Sequence, residues 1–266
     1  MATRMVLMVV TAAALAAGAS FASNLGSVVN SWNASYVDPQ YYYSPIGVDY
    51  GGGYVWVSYS YVYTQRVPKT GSIVSSIYPA NFHGNDMGYE DATGYLYLAT
   101  GNTFVAVRES LTGSLVRTFG VPPGVAFTSA IEFDDGAPSA PVWLGDATAW
   151  RLWNLTSTGS LLRSLNTTFS GVRGLAYDRD TSGGPYLFVG VSDGPSVIYA
   201  LKPDNGSVLY SFPAPVSDNS LAGLAWDGSY LWAADNTKSW VFQFVAHDTG
   251  LTVLPRSLGR VKALYY

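Results

Sequence analysis

The chain reads as short runs in which apolar and polar residues alternate, broken every few positions by Gly, Pro, Ser, Thr or Asn. Alternation with a period of two predicts strands that bury one face, and the breaks predict tight turns between them. The predicted strands include Tyr54 to Ser58, Tyr95 to Ala99, Val142 to Gly145, Tyr186 to Gly190 and Tyr230 to Ala234. A further strand follows each of the last four, at Thr103 to Arg108, Trp150 to Asn154, Val197 to Leu201 and Trp240 to Val245. A helical period is nowhere sustained, and the punctuation is too dense for long helices.

The pattern recurs as a unit. Gly174-Leu175-Ala176-Tyr177-Asp178 is matched by Gly223-Leu224-Ala225-Trp226-Asp227, and each copy continues with a Gly-containing turn and the strands above. A second turn carries Gly at a fixed place: Lys69-Thr70-Gly71, Leu111-Thr112-Gly113, Ser157-Thr158-Gly159, Asp204-Asn205-Gly206 and Asp248-Thr249-Gly250. Glycine there supplies the positive φ that a tight hairpin needs. A last strand starts at once, as in Ser114 to Phe119 or Ser207 to Phe212. Aligning Gly51, Asp91, Asp134, Asp178 and Asp227 gives spacings of 40, 43, 44 and 49 residues. That is the period of a four-stranded propeller blade, roughly 40 to 45 residues.

The expected fold is therefore all-β, a β-propeller of five clear four-stranded blades within residues 46–266. The Leu, Ala and aromatic positions of Leu175-Ala176-Tyr177 are expected to pack between neighbouring blades, and the Asp that follows to bond the amides of its own turn. The chain ends look like fragments of one more repeat. Arg260 to Tyr266 matches an innermost strand and Asn24 to Trp32 an outer hairpin, which predicts a sixth, split or incomplete blade. Its strand-pairing edge would hold Ser27, Val28, Val29, Trp32, Val261, Ala263 and Tyr265. An incomplete blade leaves unpaired backbone groups along an apolar edge, so either the N-terminal segment is retained as strands and fills the gap, or five blades close alone with the terminal strands against a neighbour, or residues 23–45 pair with another copy of the chain.

The run Gly-Leu-Ala-Trp-Asp-Gly at 223–228, with Tyr230-Leu231-Trp232-Ala233-Ala234-Asp235 and the Asp-Thr-Gly turn, resembles the bacterial propeller repeats of the NHL, YVTN and gluconolactonase-like group. The likeness covers residues 46–266. It resembles WD repeats less, since Trp226-Asp227 falls on the innermost strand and no Gly-His opens a blade. A lactonase-like propeller would imply acidic and amide side chains around a divalent cation at one channel mouth, with an early Glu-Gly-Pro, and that tripeptide is absent. A streptogramin-lyase-like propeller would imply a histidine among acidic metal ligands, which neither histidine here matches. The signature of plant-type glutaminyl cyclases, also five-bladed, is not visible.

Arg4 precedes the apolar run Met5 to Ala17, and Ala19 and Ala22 offer cleavage sites, so residues 1–22 read as a secretory signal peptide. No stretch is long and apolar enough to predict a membrane span. Charged residues are only 12% of the chain, about half the globular norm, with a net charge of -4. Without a basic patch, nucleic acid is excluded as a partner. Cysteine is absent, which excludes thiol nucleophiles, disulfides and zinc-thiolate sites. Aromatics reach 15%, so exposed rings could stack on sugars.

Candidate chemistry is sparse. The two histidines, His83 and His247, are far apart, and His83-Gly84-Asn85-Asp86 reads as a solvated turn. Acidic pairs open two blades, at Glu90-Asp91 and at Glu132 with Asp134-Asp135, while Asn102, Asp235 and Asn236 follow second strands. A calcium or magnesium ion needs no long motif and could be held by such oxygens; no other cofactor is expected. Asn33, Asn154, Asn166 and Asn205 stand in glycosylation sequons. The expectation is a non-enzymatic, extracellular binding or assembly module with itself, a surface protein or carbohydrate as partner. The alternative is a secreted propeller hydrolase or lactonase that uses a channel-mouth cation.

Overall fold

The computed structural model describes residues 24–37, 42–59, 63–77, 84–139 and 141–247. They fold as five four-stranded antiparallel sheets, and the propeller body runs from Gly26 to Ala246. From the axis outward, blade 1 is Pro45–Gly51, Tyr54–Tyr59, Tyr63–Val67 and Ser75–Ile77. Blade 2 is Asp86–Glu90, Tyr95–Ala99, Phe104–Glu109 and Leu115–Gly120. Blade 3 is Thr128–Phe133, Val142–Asp146, Arg151–Leu155 and Leu161–Asn166. Blade 4 is Val172–Asp178, Tyr186–Val191, Val197–Leu201 and Val208–Pro213. Blade 5 takes Leu221–Trp226, Leu231–Asp235 and Trp240–Phe244 from the end of the body, and its outermost strand, Val28–Asn33, from the beginning. Consecutive inner strands adjoin all the way round, blade 5 against blade 1 included. Among the described residues no helix is long and apolar enough to cross a membrane.

This closure revises the expected sixth blade. The Asn24 to Trp32 segment supplies the fourth strand of blade 5, with Trp32 opposite Val241 and Asn33 opposite Trp240, and the ring closes at five. The repeat explains the difference. Gly-Ser and two apolar residues stand at the start of every outer strand, so Gly26-Ser27-Val28-Val29 qualifies for the outer place of any blade, including the one expected for the residues after Gly250. Val261, Ala263 and Tyr265 lie outside the described residues, as do residues 1–22. Tyr36–Val37 and Tyr42–Tyr43 form a small ribbon of their own.

The apolar core is divided into sheets of side chains between blades. Val48, Val55, Trp232 and Val241 fill the join of blades 5 and 1; Trp56, Met87 and Leu98 that of 1 and 2. Tyr97, Ile131 and Leu144 fill the next, and Trp143, Leu175 and Leu187 the one after. Leu175 and Ala176 are fully buried there, as their place in the repeat predicts. Nearer the axis the backbones themselves touch. A Cβ on Gly223 would stand 2.3 Å from the Val48 nitrogen and one on Gly174 would stand 2.5 Å from the Gly223 carbonyl carbon. Gly223 also has φ +78°, so only glycine fits that position.

Polar groups join the blades at both radii. Asp227 Oδ1 accepts the Ser229 and Tyr230 amides at 2.9 and 2.8 Å, and Asp178 Oδ1 those of Asp180 and Thr181, each at 3.1 Å, which is the expected turn role. Asp91 departs from it. Its Oδ1 accepts the Gly52 amide of blade 1 at 2.7 Å, so the repeated Asp serves the neighbour where the neighbour has glycine. At the rim, outer-strand side chains reach the next blade: Asn30 Nδ2 donates to Lys69 O at 2.8 Å, Arg117 to Ser157 O at 3.1 Å and Tyr210 Oη to Ala246 O at 2.9 Å. Lys69 also pairs with the buried Asp227 carboxylate at 2.7 Å, across the closing join.

Candidate functional site

Three carboxyl groups lie inside the ring, each crossing from one inner strand to the next. Asp49 of blade 1 accepts the Tyr89 amide of blade 2. Asp86 Oδ2 accepts the Ile131 amide of blade 3 at 3.2 Å, and Glu132 Oε1 accepts the Tyr177 amide of blade 4 at 3.0 Å. All three residues are buried, and among the described residues none pairs with a Lys or Arg. Asp86 Oδ1 lies close to two other blades, where a Cβ on Gly47 or Gly223 would meet it at 3.0 or 2.8 Å. Burial pushes all three carboxyls well above the usual carboxylate range; backbone amides pull the other way, and Asp49 raises both of the others further. At the end of the ring where the inner strands finish, burial raises Asp135 to about 6, against the Asp91 amide that it accepts at 2.9 Å.

A recess of about 380 Å³ opens at the other end, where the inner strands begin. Its wall takes Ile46, Ser129 and Arg173 from the second positions of the inner strands of blades 1, 3 and 4. Those three positions are β-bulges: the register shifts between Pro45 and Gly47, Thr128 and Ala130, and Val172 and Gly174. A bulge inserts one residue into a strand and re-aims its side chain, here into the channel mouth. The rest of the wall is Asn85, Ser192, Asn219, Ser220, Leu221, Ala222 and Asn236. Asn219 has φ 56° and is fixed by its Oδ1, which accepts the Gly194 amide at 2.7 Å, leaving the amide nitrogen as a donor. Asn85 and Asn236 donate to Thr128 O and Pro45 O at 3.2 and 3.0 Å, which leaves their side-chain oxygens as acceptors. Arg173 is the single charged residue of the wall.

Two further recesses are built differently. One of about 340 Å³ on the same end of the ring is headed by Trp150, which is 59% exposed. The other, of about 400 Å³, lies between blades 1 and 2 and is lined by Tyr54, Tyr89 and Tyr95 with Trp56.

Of the residues singled out from sequence, Asn85 and Asn236 belong to the mouth and Glu132 to the buried acids, as does Asp86, which was expected in a solvated turn but opens the inner strand of blade 2 fully buried. Asn102 turns inward to Thr100 O, and Asp235 spends its two oxygens on the Lys238 and Ser217 amides at 2.7 and 2.8 Å. Among the described residues no three His, Asp or Glu side chains converge as a metal-ligand group. His83 lies outside the described residues; His247 is the last of them. Of the sequons, Asn33, Asn166 and Asn205 are exposed. Asn154 is buried and donates to Val142 O at 3.2 Å, so the folded blade has no room for a glycan there. Ser27, Val28 and Val29 are exposed, while Trp32 packs against the join of blades 5 and 1. Arg173, Ser129 and Asn219 were missed. The available signal was a break in pattern, a charged residue in Val172-Arg173-Gly174-Leu175 where the matching strand has Leu221-Ala222-Gly223-Leu224.

No protein-family model and no curated protein matches the chain. Among solved structures it is similar to glutaminyl cyclase of Myxococcus xanthus, at 11% identity over 83% of this chain and 97% of that one, with a TM-score of 0.60. Virginiamycin B lyase of Staphylococcus aureus matches at 13% identity over 76% and 66% of the two chains, with a TM-score of 0.48. Hydrazine synthase of Kuenenia stuttgartiensis matches at 12% over 71% and 55%, also with 0.48. The first likeness supports a bacterial β-propeller repeat fold and nothing finer; the other two add no argument. By its own sheet order the chain is a five-bladed β-propeller.

The buried acids fix the sign of a pH dependence. A carboxyl whose folded pKa is raised stabilises the fold while it is protonated, and that contribution is lost as pH rises from the unfolded value, about 4, through the folded one. Asp49, Asp86 and Glu132 should therefore make the melting temperature higher at pH 5 than at pH 8. Asp86→Asn and Glu132→Gln, which imitate the neutral acid, should each flatten that slope and raise the melting temperature at pH 8 by several degrees. A melting temperature that climbs from pH 5 to pH 8 would show the acids to be ionised in the fold.

Proposed function

We propose that this protein is a non-enzymatic binding propeller that takes its ligand in the channel-mouth recess, at an extracellular address that rests on the leader-like run Met5 to Ala17. The observation that supports it most is the triple use of the bulge. Four blades break inner-strand register near this end: in blades 1, 3 and 4 the displaced residues Ile46, Ser129 and Arg173 all line one recess, and in blade 5 the displaced residue is Gly223 beside the lining residue Ala222. A bulge costs ladder hydrogen bonds, and it recurs where a side chain must be aimed. The wall offers hydroxyls, amides and a guanidinium, groups that orient a polar ligand. Ser192→Trp, which fills the recess from a loop, should abolish the thermal shifts that a library of sugars and small polar acids induces in the parent protein. Shifts that survive in this variant would place binding elsewhere.

A second reading, assembly with further copies of the same chain, is favoured by the rim. At the start of each blade's outer strand stand two apolar residues: Val28-Val29, Ile73-Val74, Leu115-Val116, Leu161-Leu162 and Val208-Leu209. All ten are between 38% and 55% exposed. An edge strand with exposed apolar residues and no charge in that stretch lacks the usual guard against pairing with another edge. On this reading, light scattering finds mass rising with concentration, and Leu161→Ser with Leu162→Ser, Val208→Ser and Leu209→Ser restores a monomer. A parent chain that stays monomeric at millimolar concentration removes it.

A further inference from the structure

We infer that the ligand of the channel mouth is a small hydroxylated carboxylate, a uronic acid or an open-chain sugar acid, with its carboxylate held by Arg173. The inference rests on the recess being the binding site, and it adds the chemical class. Arg173 is half-buried in the wall, and it is the one arginine among the described residues with no hydrogen bond, ion pair or ring contact. The contrast with the other arginines is direct. Arg66 lies over the Tyr54 ring, Arg117 bonds Tyr97 and Ser157, Arg151 bonds Asn166, Arg163 pairs with Asp204 and Arg179 with Asp134. Arg108 donates to Gly113 O. A guanidinium aimed into a recess by a bulge, with its five donors unspent, is a receptor for a planar anion.

The charge count narrows the anion. The wall contains one positive residue and no carboxylate. The inner-strand acids Asp86 and Asp49 are buried. One guanidinium matches a monoanion in charge and in fork geometry, whereas a phosphate dianion is ordinarily met by several donors or cations. Around Arg173, the free Asn219 nitrogen and the Ser192 hydroxyl can donate, and the Asn85 and Asn236 oxygens can accept. A ligand that both donates and accepts beside its carboxylate is a polyol acid. Ile46, Leu221 and Ala222 supply apolar wall for its carbon face.

Calorimetric titration of the full chain with glucuronate, glucose and glucose 6-phosphate tests this. Glucuronate should bind at least about 10-fold more tightly than glucose, since a bond to a charged group contributes about 1.5–3 kcal/mol. Arg173→Gln should remove that preference, Arg173→Lys should keep part of it, and Arg151→Gln, outside the recess, should leave it intact, all with the parent melting temperature. Equal binding of glucose and glucuronate, unaffected by Arg173→Gln but lost in Ser192→Trp, would overturn the carboxylate and leave the recess as the binding site. Glucose 6-phosphate binding more tightly than glucuronate would also overturn it. Binding of none of the three would overturn the carboxylate assignment, while a library hit lost in Ser192→Trp would still uphold the recess.

Discussion

The ring is held at its axis by carboxyl groups that reach from one inner strand to the amide of the next, and among the described residues no Lys or Arg pairs with them. Asp49, Asp86 and Glu132 do this in series at three successive joins. Inner strands of neighbouring blades adjoin but belong to different sheets and share no ladder, so buried amides that face the neighbour need acceptors. An acid in its neutral form solves this at lower cost than an ionised one, because the charged form would have to give up water for a low-dielectric interior. Between blades 4, 5 and 1 the backbones approach directly at Gly174 and Gly223, as they also do at Gly47 and Gly88 beside two of the acid-bridged joins.

That arrangement shapes the functional end. At the mouth the first residues of the inner strands and the loop residues beside them line the recess. The bulges at Ile46, Ser129 and Arg173 then turn three of those residues inward. Burial pushes the deep acids toward their neutral form, which weakens any opposition to the positive charge of Arg173. In a chain with 12% charged residues, an unpaired guanidinium in such a place has an outsized share of the local field. The axis shapes the recess, and the rim carries the exposed apolar pairs.

The blade count and strand order were legible because they rest on periodicity. The Gly-Leu-Ala-aromatic-Asp run and the turn glycine recur at fixed offsets, and an offset survives substitution at most other positions. The destination of the N-terminal strand was not legible. Val28–Asn33 resembles every outer strand equally, and which blade it completes depends on ring closure, a global constraint that no local pattern encodes. The mouth was half legible. Asn85 and Asn236 stood out as loop residues, but Arg173 sat inside a strand whose alternation predicts a wall position, and the bulge that redirects it leaves no mark in the sequence. Asp49 was hidden because it stands two residues before the aligned Gly51, at no repeated Asp position, and Asp86 because it reads as part of a solvated turn, whereas it opens the inner strand of blade 2.

The neutral, crossing acid is the claim on which the rest depends, and carbon-13 titration of the side-chain carboxyls reads it directly. The account predicts that the Asp86 carboxyl carbon keeps the chemical shift of the protonated acid at pH values where exposed aspartates have long since ionised, and that the Ile131 amide proton stays protected in the same range. An Asp86 carboxyl that titrates with the exposed aspartates, near pH 4, would contradict it.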